Sequence, residues 1–159
     1  MLRPPEALFM GSHTNKIDAK GRIATPADFR KVLDTDTFNG FVCVPSLIGP
    51  DLDCGGFDLL ARLQSEIEEM DRDDPDREAT EIAIMGRARR LSFDKDGRII
   101  LPKAFIEHAN LDGQASFVGR GDFFQISKID DVEDRFKQAE KRARERRARK
   151  RAAIEREAK

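Results

Sequence analysis

The chain has no tryptophan and no tyrosine, and only two cysteines among its 159 residues. Without indole or phenol groups, its aromatic surface consists of eleven phenylalanines, rings without a polar handle that belong in a core or a subunit interface rather than stacked on unpaired bases. Cys43 sits in an apolar run and Cys54 beside two glycines. Neither falls in a C-x-x-C or Cys/His ligand pattern, so both read as reduced thiols and not as a metal centre or disulfide framework. No stretch offers the roughly 18 consecutive apolar residues of a membrane span, and the N-terminal residues Leu2-Arg3-Pro4-Pro5-Glu6 lack the apolar segment of a secretory signal. These absences predict a cytoplasmic protein with no membrane partner.

Catalytic signatures are missing as well. There is no Walker pattern, no Gly-x-Ser-x-Gly and no His-Glu-x-x-His, and the two histidines, His13 and His108, stand in dissimilar contexts. The acids between Asp71 and Glu78 lack the spacing and turn glycine of a calcium loop and read as a solvated segment. The expectation is no enzyme, no metal, no cofactor and no small-molecule substrate.

What is present is charge, unevenly placed. Charged residues make up 37% of the chain, yet the formal net charge is only -1. Residues 137–159 hold 11 Lys/Arg against 4 Asp/Glu, a surplus of +7, which leaves -8 for the rest. An acidic body can still bind a polyanion where its cations converge, because affinity follows local phosphate contacts and not the global sum.

The main organising feature is an internal repeat. Residues 17–29 read IDAKGRIATPADF and residues 93–105 read FDKDGRIILPKAF. At a spacing of 76, Asp18/Asp94, Gly21/Gly97, Arg22/Arg98, Ile23/Ile99, Pro26/Pro102 and Phe29/Phe105 coincide, and Phe41-Val42 falls on Phe117-Val118 without a gap. Each unit predicts a hairpin with a glycine turn at φ > 0, a short strand ending before proline, and a short helix. Thr25 is expected to cap the first helix and Pro26 to occupy its first position, whereas Leu101 makes the second helix start less firmly. Further strands are expected at residues 40–44 and 57–60 in the first unit and at 115–118 and 123–127 in the second, with residues 45–56 a surface loop. Leu60, Leu63, Ile67 and Met70 share a helical face, another helix spans residues 76–89, and the C-terminal stretch is a charged helix supported by the i,i+4 pairs Glu140/Arg144 and Glu145/Arg149.

The Asp-x-x-Gly-Arg turn joins two needs. A carboxylate at the end of the first strand can accept backbone N–H bonds and fix the tip, and an arginine opening the next strand projects a planar donor fork suited to phosphate or to the O6/N7 edge of guanine. The same residues could instead be ion pairs that only close a turn. Surrounding charge favours the first reading: Lys16 and Lys20 flank the first turn, with Arg30 and Lys31 beyond, while Arg87, Arg89, Arg90 and Lys95 surround the second. Lys16, Asp18, Lys20, Arg22, Lys95 and Arg98 are the candidate DNA-binding residues; Gly21, Asp94 and Gly97 are the candidate turn-forming ones. Asp96 stands where the first turn has Lys20, so the first tip is expected to attract phosphate more strongly.

These motifs, with Phe9-Met10-Gly11 and Asn15-Lys16-Ile17 ahead of the first turn, resemble the MraZ family across residues 8–136, and more loosely AbrB-type regulators. The resemblance implies an α+β, mainly β fold in which two tandem SpoVT-AbrB-type repeats swap hairpins into one pseudo-two-fold β-barrel with short helices and a C-terminal helix. It also implies ring-shaped homo-oligomers and sequence-specific binding of double-stranded DNA, at repeated boxes upstream of the protein's own operon in the division and cell wall gene cluster, by a nucleoid-associated transcriptional regulator. The expected divisions are residues 8–60 and 91–136 for the repeats, 61–90 for connecting helices and 137–159 for a basic helix or tail, the last departing from the family pattern. The rival readings are an AbrB-like antitoxin, which would normally carry one repeat per chain, and a ring-forming interaction protein that binds no DNA. For the basic tail, a solvated helix, a phosphate-binding arm and an arm that binds another protein all remain open.

Overall fold

A computed structural model describes residues 2–34 and 37–159. After a single 3-10 turn at Pro5–Ala7, the elements run β1 (Ser12–Lys16), β2 (Arg22–Ala24), α1 (Ala27–Leu33), β3 (Gly40–Pro45), β4 (Leu52–Gly55), α2 (Phe57–Glu68) and α3 (Pro75–Ile84). The second half repeats the order with β5 (Arg89–Ser92), β6 (Arg98–Ile100), α4 (Lys103–His108), β7 (Gln114–Gly119), β8 (Phe124–Ser127) and α5 (Ile129–Glu157). The chain divides into two compact units, one ending at Lys128 and one formed by α5 alone.

The sheet order explains why neither repeat is complete by itself. Six strands lie β1-β7-β8-β4-β3-β5, and β2 pairs with β6 in a separate two-stranded ribbon. Each repeat therefore lends its first strand to the other: β1 is hydrogen-bonded to β7, and β5 to β3, both antiparallel. The expected hairpin swap is present. Its local two-fold passes through the pair Ile23↔Ile99 in the ribbon and through Asp53↔Gln125 at the centre of the sheet. The large sheet stays open, with β1 and β5 at its edges, and the bridge Ile17↔Ile23 links β1 to the ribbon strand that follows it.

Pairing register corrects the sequence alignment of the repeats. Ile17 N–H donates to the Gly113 carbonyl and Phe93 N–H to that of Asn39, so Asn39 corresponds to Gly113 at a spacing of 74, not 76. Phe41 thus matches Ala115, and Cys43 matches Phe117. The stretch from the first residue of α1 to β3 is two residues longer than its counterpart, and a shift of two leaves every side chain on its own face. The identity of Phe41-Val42 with Phe117-Val118 is a coincidence of letters.

Two element assignments also change. Residues 57–60 are the first turn of α2 and not a strand; the helical spacing of Leu60, Leu63 and Ile67 already extends back to Phe57. The strand lies earlier, at β4, inside the stretch read as loop, where Leu52 and Cys54 are fully buried. Its four residues, ending in glycine, are too short for alternation to stand out against their Pro/Gly-rich flanks. Thr25 does not cap α1 either: its hydroxyl is buried without a hydrogen-bond partner, and Pro26 and Pro102 occupy the same N-terminal position with no side-chain cap, so the two helices start alike.

Phenylalanine fills the core. Phe124 meets Phe9, Phe29 and Phe41 at ring-centroid distances of 5.0, 5.0 and 5.1 Å, in the tilted and edge-to-face arrangements that aromatic quadrupoles favour. Cys43 and Cys54 face each other across β3 and β4 with sulfurs 3.5 Å apart, both free and fully buried. Burial pushes the Cys54 thiol well up. Among the described residues no helix is long and apolar enough to cross a membrane.

Candidate nucleic-acid interface

The two turns have the same internal wiring. At the first tip, Asp18 Oδ1 accepts from the backbone N–H groups of Lys20 and Arg22, both at 2.9 Å, and Asp18 Oδ2 accepts from Arg22 Nε at 2.6 Å. At the second, Asp94 Oδ1 accepts from Asp96 and Arg98 N–H at 2.9 and 3.0 Å, and Oδ2 from Arg98 Nε at 2.9 Å. Bonds from Arg22 N–H and Arg98 N–H, acting first among several, hold both carboxyls below their ordinary value of 3.8. Gly21 and Gly97 take φ of +82° and +76°, a region that costs a side-chain-bearing residue about 1 kcal/mol or more.

The turn-closing ion pair and the outward arginine turn out to be the same residue. Nε of each arginine is committed to its aspartate, and the arginine side chains are about one-third exposed. At the first tip this leaves both Nη groups of Arg22 uncommitted among the described residues. At the second, Arg98 Nη2 also faces Asp96 Oδ2 at 3.4 Å.

The ribbon brings the two tips together. In β2 and β6, Arg22 pairs with Ile100 and Ala24 with Arg98, while Ile23 and Ile99 between them are buried. Strand alternation therefore puts Arg22, Ala24, Arg98 and Ile100 on one outward face. From the rise of two residues and one strand spacing, the Cα atoms of Arg22 and Arg98 lie roughly 8 Å apart. Lys20 and Lys95, in the two turns, and Lys16, at the end of β1, are exposed. By contrast, Arg90 on edge strand β5 is drawn over the Phe57 ring, 5.8 Å from its centroid, and Arg89 stands on the same strand.

Each tip is braced by the other repeat. Thr25 N–H donates to the Gly97 carbonyl at 3.1 Å and Leu101 N–H to the Gly21 carbonyl at 2.9 Å. Asn15 Nδ2 adds a bond to the Ala24 carbonyl at 2.7 Å. In the sequence Arg30 is no more than nearby charge. In the fold it reaches from α1 to the second tip, where a Cβ on Gly97 would overlap its guanidinium. The available signal was a mismatch: at the repeat spacing, Arg30 corresponds to Ile106.

Fold and site define a two-repeat, hairpin-swapped β-protein with paired Asp-x-x-Gly-Arg tips on one ribbon. The family described as "MraZ protein, putative antitoxin-like" matches residues 84–154. The transcriptional regulator MraZ of Rickettsia akari (strain Hartford) is 38% identical over 138 residues, covering 87% of this chain and 93% of that one. That of Rickettsia canadensis (strain McKiel) is 36% identical over 139 residues, with the same coverage. The regulator of Rickettsia bellii (strain OSU 85-389) is 38% identical over 132 residues, covering 83% and 88%. The chain belongs to the MraZ family.

Proposed function

We propose that this chain is a transcriptional regulator that binds double-stranded DNA with the outward face of the β2–β6 ribbon. The observation that carries the reading is the cross-repeat pairing that sets Arg22 and Arg98 on one surface, with exposed lysines in both turns, Lys20 and Lys95, and one at the end of β1, Lys16. A two-stranded ribbon fits the major groove, where an arginine fork can meet guanine O6/N7 or the flanking phosphates. Because Asp18 and Asp94 already hold the Nε atoms, the groups offered to DNA are the Nη ends, fixed in direction before DNA arrives. Asp18 then serves DNA binding by aiming Arg22, and Gly21, Asp94 and Gly97 serve it by shaping the tips.

The targets in this reading are repeated boxes upstream of the protein's own operon in the division and cell wall gene cluster, recognised by a nucleoid-associated, cytoplasmic homo-oligomer. Several copies in one ring would turn later contacts into intramolecular ones and raise the affinity of a small module. No catalytic step, metal or cofactor is part of the mechanism. The test is titration of the purified protein onto a duplex taken from upstream of its own coding sequence and onto a scrambled duplex of equal length, at several salt concentrations, with the solution mass measured in parallel. Preference for the upstream duplex and a steep salt dependence are expected; equal binding to both duplexes would contradict sequence-specific regulation.

A further inference from the structure

Arg30 differs from the other cations near the tips because part of its guanidinium is sealed from solvent. Its Nε is buried and has no hydrogen-bond partner among the described residues. Because Nε is closed to solvent, an anion in a neighbouring cleft can meet Arg30 only through its Nη end. The cleft is there: about 560 Å³, lined by Arg30, Lys31 and Lys95 with the polar groups of Thr37 and Asn39, between α1 of the first repeat and the tip of the second. Among the described residues, two acids also line it. Asp94 is engaged by Arg98, and Asp34 leaves the three cations in excess.

The two-fold makes the placement informative. The first tip has Ile106 beside Gly21, its Cδ1 3.9 Å from where a Cβ would sit, and the second has Arg30 beside Gly97. The second tip is also the one that carries Asp96 where the first carries Lys20. The charge lost on the turn itself is thus returned by the helix of the other repeat.

We propose that Arg30, flanked by Lys31 and Lys95, forms a seat for a DNA backbone phosphate beside the second tip. In this reading the two tips have comparable pull, one drawing on Lys20 and the other on Arg30, where the sequence alone leads one to expect the first to be stronger. This inference rests on the DNA-binding reading above and adds a contact to it.

The test is the salt dependence of affinity for a short fluorescein-labelled duplex from upstream of the coding sequence, with Arg30→Ile, Arg30→Gln, and Arg22→Ala as a separate control. Isoleucine already occupies the corresponding position 106, and glutamine keeps length without charge; melting temperature and solution mass identify the folded variants. A seat predicts that the log–log salt slope falls by about 0.9 and affinity drops roughly tenfold in whichever Arg30 variant is folded. An unchanged slope in a folded Arg30 variant, with Arg22→Ala still weakened, would overturn the seat and leave the DNA-binding reading standing. If the unaltered protein does not bind the duplex, both fall.

Discussion

The two tips are the same device in different surroundings. Both use one aspartate to accept two backbone N–H groups and an arginine Nε, and in both the glycine carbonyl accepts a backbone N–H of the opposite repeat. What differs is the residue laid over the glycine, Ile106 at the first tip and Arg30 at the second, and the charge at the third turn position, Lys20 or Asp96. The comparison teaches that duplication fixed the wiring of the turn and left its periphery free to diverge. A cation can then be supplied from the turn itself or from the helix of the other half.

The largest expected effect comes from removing what the tips share. Replacing both Arg22 and Arg98 by alanine should lower affinity for duplex DNA by about a hundredfold, as expected for two arginine contacts at about 1–3 kcal/mol each, measured by fluorescence anisotropy. Stability should fall far less, by about 1 kcal/mol, because exposed ion pairs contribute little. Equal losses of folding and binding would mean that the arginines serve only the turn.

Next in size is a substitution that separates the tips. Gly21→Ala brings a Cβ to 3.0 Å from the Leu101 carbonyl oxygen, which is backbone, whereas Gly97→Ala meets the movable end of Arg30. Both suffer the positive-φ penalty, but Gly21→Ala should cost more stability, about 2–3 kcal/mol against about 1 for Gly97→Ala by chemical denaturation. Gly97→Ala should lose relatively more DNA affinity, since it displaces Arg30. The reverse ranking would show that the braces at the two tips are not as drawn.

Smaller changes follow from the third turn position. Lys20→Asp should weaken binding severalfold and Asp96→Lys strengthen it by a similar factor, each altering the salt slope. No change from Asp96→Lys would mean that DNA does not approach the second tip. The smallest effect is in pH. Both tip aspartates are held below their ordinary value of 3.8 in the folded state, so their contribution to stability is complete above about pH 4 and is lost as pH falls through the lowered values. Asp18→Asn with Asp94→Asn should flatten that acid limb of a stability-against-pH curve and leave its neutral part parallel to the unaltered protein's.

Much of this was legible in the sequence because the repeat acts as its own control. Asp18, Gly21 and Arg22 recur with Asp94, Gly97 and Arg98, and a turn that needs a carboxylate acceptor and a positive φ leaves just that residue pattern. Strand partners were less legible, since register depends on connection length across the swap, and a two-residue difference sent Phe41 to Ala115 rather than Phe117. Strand β4 was hidden by its brevity among turn-forming residues. Arg30 could not be placed at all, because its neighbour Gly97 lies 67 positions away and meets it only once the hairpins have exchanged.

The claim that both halves present one DNA-facing ribbon is tested most directly by photo-cross-linking. A benzoyl-phenylalanine placed at Ala24 or at Ile100, the paired positions on the outward face, should cross-link to bound duplex DNA with comparable yield, while the same group at Ile82 on α3, also exposed, should not. Cross-links from Ile82 with none from Ala24 or Ile100 would place the DNA elsewhere on the molecule and contradict the account.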